Sequence, residues 1–146
     1  MEQDQIDDII LELALASALP VNIRGRNFVK AAAAANTLAF HTSKLAPKEL
    51  KSLVFAIGPL LVLMGIDVDN PVTSKAALGL RSLIASRVCL AAFLERKGLE
   101  IMAKSLNTLM GHTIVDLINE SIQRTLVVHC INMYRDIAAV RPWDVV

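Results

Sequence analysis

The chain is short of cysteine, of aromatic rings and of net charge, and each shortage removes a class of function. Two cysteines, Cys89 and Cys130, occur in 146 residues, with no CxxC and no paired spacing. No disulfide framework is read from them, and both thiols are expected to be buried as small apolar groups in a reducing intracellular setting. One tryptophan, one tyrosine and four phenylalanines leave no stacking platform for single-stranded nucleic acid. Fifteen basic against fourteen acidic residues give a formal net charge of +1, so no overall field draws the chain to nucleic acid or to an anionic membrane. The longest uncharged stretch, Ser52 to Ile66, is shorter than the ~20 residues a spanning helix needs and is broken by Gly58-Pro59. No transmembrane segment is expected. The first residues include Glu2, Asp4, Asp7 and Asp8 where a secretory leader carries basic residues, so no export signal is expected and the cytoplasm is the expected compartment.

Chemistry-bearing motifs are equally scarce. His41, His112 and His129 form neither an HExxH nor any i, i+4 pair, so no metal site is read. His129 adjoins Cys130, but neighbours on a helix point about 100° apart and cannot serve as nucleophile and base. Phosphate-binding glycine loops are missing too. The chain is therefore read as no enzyme, with no catalytic residue, cofactor or metal.

What the chain does have is apolar content, 54%, arranged at helical spacing. Gln3 to Ser17 places Ile6, Ile9, Ile10, Leu13 and Leu15 near a 3.6-residue period, with Asp4, Asp7 and Asp8 where a helix dipole favours anions. Asn27 to His41 holds the run Ala31 to Ala35, whose small side chains imply close approach by a neighbour. Short helices are predicted over Lys48 to Ile57 and Pro59 to Gly65, divided at Gly58, then a longer one from about Val72 with a stripe of Ala76, Leu80, Leu83 and Ile84. Helices over Arg87 to Lys97, ended by Gly98, over Leu99 to Met110, and over Ser121 to Arg135 complete the chain. About seven or eight helices are expected, no alternating strand pattern competes, and Leu38, Leu80, Leu83, Leu106, Leu109 and Cys130 are expected to share an interior. The length fits one domain over residues 1–146.

The helices repeat. Gly58 and Gly98 stand forty residues apart, each followed by an apolar helix, a polar turn and a third helix. The segment LVFAIGPLLVLMGIDVDNPVTSKAALGLRSLI, Leu53 to Ile84, resembles an armadillo repeat, as in β-catenin and importin-α, and Ala91 to Met133 resembles a second copy. The resemblance implies an all-α, short right-handed α-solenoid of armadillo-like, alternatively HEAT-like, repeats. These are a partial repeat over 1–42, repeats over 43–86 and 87–135, and a C-terminal tail over 136–146.

In that family the third helices line a groove for partners. Carrying the pattern over places Ala33 and Thr37 on the first such helix, Leu78 and Ser82 on the second, and Val128 and Asn132 on the third. Only Asn132 matches the asparagine with which importin-type members hold peptides, and none of the three helices carries tryptophan. Arg24, Arg26 and Lys30 form a candidate basic rim, and Trp143 a candidate aromatic anchor in the tail. The function expected is a non-catalytic protein–protein interaction module, an adaptor or a structural subunit of a larger assembly. The alternatives are a peptide-groove receptor and an accessory subunit of an enzyme complex. Protein partners are expected, in a homo-oligomer or a hetero-complex. Ile122, Leu126, Val127, Val128, Ile131 and Met133 make the last helix apolar almost all round, more than the tail from Ile137 can cover.

Overall fold

The architecture follows from how the apolar faces of the helices are paired. The structure, a computed structural model, describes residues 3–18, 25–45, 47–65, 71–110 and 121–139. They form α1 (Gln3–Ala18), α2 (Gly25–His41), α3 (Pro47–Ser52), α4 (Val54–Met64), α5 (Pro71–Leu83), α6 (Arg87–Glu95), α7 (Gly98–Met110) and α8 (Ser121–Ala139), with a 3-10 turn at Thr42–Lys44. Among the described residues there is no strand, so the all-α expectation holds. Nor is any helix long and apolar enough to cross a membrane.

The helices stack as successive pairs, α1 on α2, α4 on α5 and α7 on α8. First members touch in order, α1 to α4 to α7, and second members do the same, α2 to α5 to α8. The short α3 and α6 meet each other at the side. Helix α5 is the hub, packed by α2, α4 and α8. Its stripe of Ala76, Leu80, Leu83 and Ile84 is buried as expected, in one core with Leu38 and Cys130. Leu106 is half-buried against that core, and the Leu109 side chain lies outside the described residues. Each large apolar side chain so buried contributes about 1.5–3 kcal/mol. Polar ties join the helices, two of them to carbonyls at the C-terminal end of α4 that lack intrahelical donors. The Thr73 hydroxyl donates to the Leu63 carbonyl at 3.1 Å, Ser105 to Met64 at 3.5 Å, and Tyr134 to Leu99 at 3.1 Å.

Several expected boundaries move. Gly58 does not end a helix: the break falls at Leu53, and Gly58-Pro59 lies inside α4. Proline removes one helical bond and costs about 3 kcal/mol. Six side chains of α4 are buried, Ala56, Ile57, Leu60, Leu61, Leu63 and Met64, and at roughly 1.5–3 kcal/mol for each large one their burial outweighs that cost. Gly58 is small because Arg96 crosses it, a Cβ there falling 3.1 Å from the Arg96 Nη1. Gly98 likewise opens α7 instead of closing α6, and the left-handed residue at that corner is Lys97, with φ 63°.

Other expectations are corrected by exposure. Leu15 is exposed, while Ile6, Ile9, Leu13 and Ala16 form the buried face of α1. Helix α8 continues to Ala139, so Ile137 belongs to the helix and not to a tail beginning at 136. Nor is α8 apolar all round in exposure, since Leu126, Cys130 and Met133 are buried while Val128 and Ile131 face solvent. The side chain of Ile122 and the rest of the tail lie outside the described residues. Of the alanine run, Ala31, Ala34 and Ala35 are buried, Ala32 is half-buried, and Ala33 is exposed. Two cysteines, Cys89 and Cys130, are free and buried, as their apolar reading requires.

The close approach implied by the alanines occurs where α5 meets α2. A Cβ built on Gly79 would sit 3.6 Å from the Ala35 carbonyl oxygen and 3.5 Å from Leu60, ordinary contact distances. Gly79→Ala therefore fills space without collision and relieves the helix of glycine's cost. A gain of about 0.5–1 kcal/mol in urea unfolding is expected. A loss would show that the two backbones tolerate no methyl between them.

Candidate interaction surface

The second-layer helices α2, α5 and α8 each bury one side and leave the opposite stripe open. On α2 that stripe holds Lys30, Ala33 and Thr37, all exposed. On α5 it holds Lys75, Leu78, Arg81 and Ser82, all half-buried, and on α8 Val128, exposed, with Asn132 half-buried. The six groove candidates thus lie on three helices that pack in the order α2, α5, α8. In each pair the polar residue donates back one turn to its apolar partner's carbonyl. Thr37 reaches Ala33 at 3.0 Å, Ser82 reaches Leu78 at 3.2 Å, and the Asn132 Nδ2 reaches Val128 at 2.9 Å. Such back-bonding uses the single donor of each hydroxyl and one of the two amide hydrogens of Asn132.

Two contacts across the helices have no counterpart in the sequence reading. The Lys75 Nζ donates to Asn36 Oδ1 of α2 at 3.2 Å. On the other side of α5, Arg81 Nη1 stands 3.4 Å from His129 Nδ1 of α8. Guanidinium can only donate, so Nδ1 accepts and the neutral ring carries its proton on Nε2. Both cations are held by neutral acceptors, and among the described residues neither meets a carboxylate. Neither α2 nor α5 contains an acidic residue. Helix α8 contains one, Asp136, which lies 3.8 Å from Arg135. The readable signal was this lack of acid over two whole helices.

The candidate basic rim is described only in part. Lys30 is exposed on α2, Arg26 lies in α2 with its side chain outside the described residues, and Arg24 lies outside them, as does Trp143. Ser82 also lines an open hollow of about 310 Å³ with Ala39, Thr42, Leu45, Leu50 and Ser86. Among the described residues no three of His, Cys, Asp and Glu gather as a metal site would need.

Burial sets the titration of the neighbouring groups. The Cys130 thiol is pushed up to about 11 by loss of solvent, which keeps it protonated and a weak nucleophile. Cys89 is also raised by burial, against a hydrogen bond with Ser86 that lowers it. His129 is held below the ordinary imidazole value, first by burial and then by the charges of Arg81 and Lys75. Between the folded and unfolded values the unfolded chain takes up a proton that the folded chain refuses. Stability is therefore complete above the ordinary histidine value of about 6.5 and is lost as pH falls through the lower folded value. Urea midpoints should fall on acidification from about pH 7.5 to pH 5, and fall less in His129→Gln. An equal fall in the variant would show that His129 contributes nothing to it.

No protein-family model, no curated protein and no solved structure matches this chain.

Proposed function

We propose that this chain is a non-catalytic protein–protein interaction module of armadillo-like build, an adaptor or a structural subunit of a larger assembly. The open face of α2, α5 and α8 is its docking surface. The observation that carries this reading is the packing of α2, α5 and α8 side by side with Ala33 and Thr37, Leu78 and Ser82, and Val128 and Asn132 all outside the fully buried core. The order of contacts supports the repeat reading, because first-layer and second-layer helices each meet their counterparts from the next pair.

A peptide clamp of the importin type is the weaker form of the proposal. Only Asn132 of the three polar residues has an amide, and one of its two N–H groups is held by the Val128 carbonyl, so the face offers one amide where a clamp needs a row of them. Docking of a shaped protein surface onto cations and apolar side chains requires no such row. A photo-crosslinking residue placed at Leu78 or Val128, in cells that make the chain, should give discrete protein adducts. The same residue at Val88, exposed on α6, should not. Equal labelling at the three positions would refute the assignment of this face.

A further inference from the structure

The charge on this chain is segregated by helix. Helix α1 carries Asp4, Asp7, Asp8 and Glu12 and no basic residue, whereas α2 and α5 carry no acid. A net charge of +1 conceals two opposed faces. We propose that the face of α2, α5 and α8 receives the acidic outer stripe of α1 from a second copy of this chain. The proposal rests on the reading of that face as a docking surface and names its occupant.

The stripe is a line of side chains on the side of α1 away from its own core. Asp4, Asp8, Leu11 and Leu15 follow the alternating four- and three-residue steps that keep side chains on one helix face. All four are exposed, the leucines at 56% and 46%, while Ile6, Ile9 and Leu13 hold α1 against its own chain. The two leucines add exposed apolar area at one end of the stripe to the carboxylates at the other.

The receiving face has the complementary order. Lys30 on α2 and Lys75 on α5 supply charge on one side, and Val128 and Ile131 on α8, 51% and 57% exposed, supply apolar area on the other. Leu78 stands between them. Dimensions agree as well. From Asp4 to Leu15 a helix rises about 16 Å, and two successive helix spacings, from α2 to α8, span roughly 16–20 Å. An incoming α1 laid across the three helices therefore brings Asp4 and Asp8 to Lys30 and Lys75 while Leu11 and Leu15 reach Val128 and Ile131. Carboxylates would then meet Lys75, which the neutral Asn36 amide now holds in place, and the exposed Lys30 on α2. The two patches can pair reciprocally in a two-fold dimer, each copy's α1 on the other's open face, or run head-to-tail through successive copies.

Light scattering on the full chain at low ionic strength tests this. The mass of the native chain should rise with concentration beyond one chain, and should return towards one chain at about 0.5 M salt, where exposed charges are screened within a few ångströms. The pair Lys30→Glu with Lys75→Glu should abolish association, and so should Asp4→Lys with Asp8→Lys, since each sets like charge against like. Mixing the two variants should restore it, because every stripe then finds an opposite face. Restoration also shows that both variants are folded. A native chain that stays monomeric at low salt would overturn the proposal, as would association indifferent to both charge reversals or strengthened by salt. The docking-face reading would survive any of these results if crosslinks at Leu78 and Val128 still capture another protein, and would fall with them if those crosslinks capture nothing.

Discussion

Gly98→Ala is expected to lower stability by roughly 1–3 kcal/mol, although alanine is the better helix former. The added Cβ would lie 2.5 Å from the ring of Phe93, well inside contact distance. Phe93 is fully buried near the end of α6. The corner is already strained on its other side, since Lys97 holds a left-handed backbone, φ 63°, that costs a non-glycine residue about 1–2 kcal/mol. Relief requires either a buried ring or a corner already in the left-handed region to shift. Urea unfolding of the variant should show a lower midpoint with an unchanged slope. A midpoint equal to the native one would mean that the ring moves freely and that the corner is loosely packed.

Ala35→Leu should cost a comparable 1–3 kcal/mol by overpacking. Ala35 is fully buried on α2, and its carbonyl is the atom that α5 approaches at Gly79. Three more carbon atoms would have to separate α2 from α5, the contact that joins the first pair of helices to the second. Ala33→Leu is the control, because Ala33 is exposed on the same helix two residues away and should change stability little. Equal denaturant stability of Ala35→Leu and the native chain would place position 35 in open space.

The helices and the main buried stripe were legible because they depend on short-range order. Ala76, Leu80, Leu83 and Ile84 recur at helical spacing whatever their surroundings, and burial followed. Gly58 misled because the local rule for glycine followed by proline ignores six buried side chains around it, whose collective burial keeps α4 whole. At the next corner the left-handed turn fell to Lys97, since a positive φ belongs to the path of the backbone and not to residue type alone. That each groove pair shares one helix was legible from its four-residue spacing within a helical pattern. The contacts of Lys75 with Asn36 and of Arg81 with His129 were not, because they join residues 39 and 48 positions apart and exist only once the helices are stacked. Charge segregation was in plain view and was averaged away by counting the whole chain.

The position of α5 has a consequence for how the chain comes apart. A helix at either end of a stack can open while its neighbour keeps its other partner, so amide protons there exchange through small local openings. Helix α5 has no such route. Releasing it strips α2, α4 and α8 of a neighbour at once. Its central amides, around Ala76 and Leu80, then exchange only when most of the molecule is lost, so the slowest protons in the chain measure the stability of the whole while those of α1 and α8 measure only the fraying of its ends.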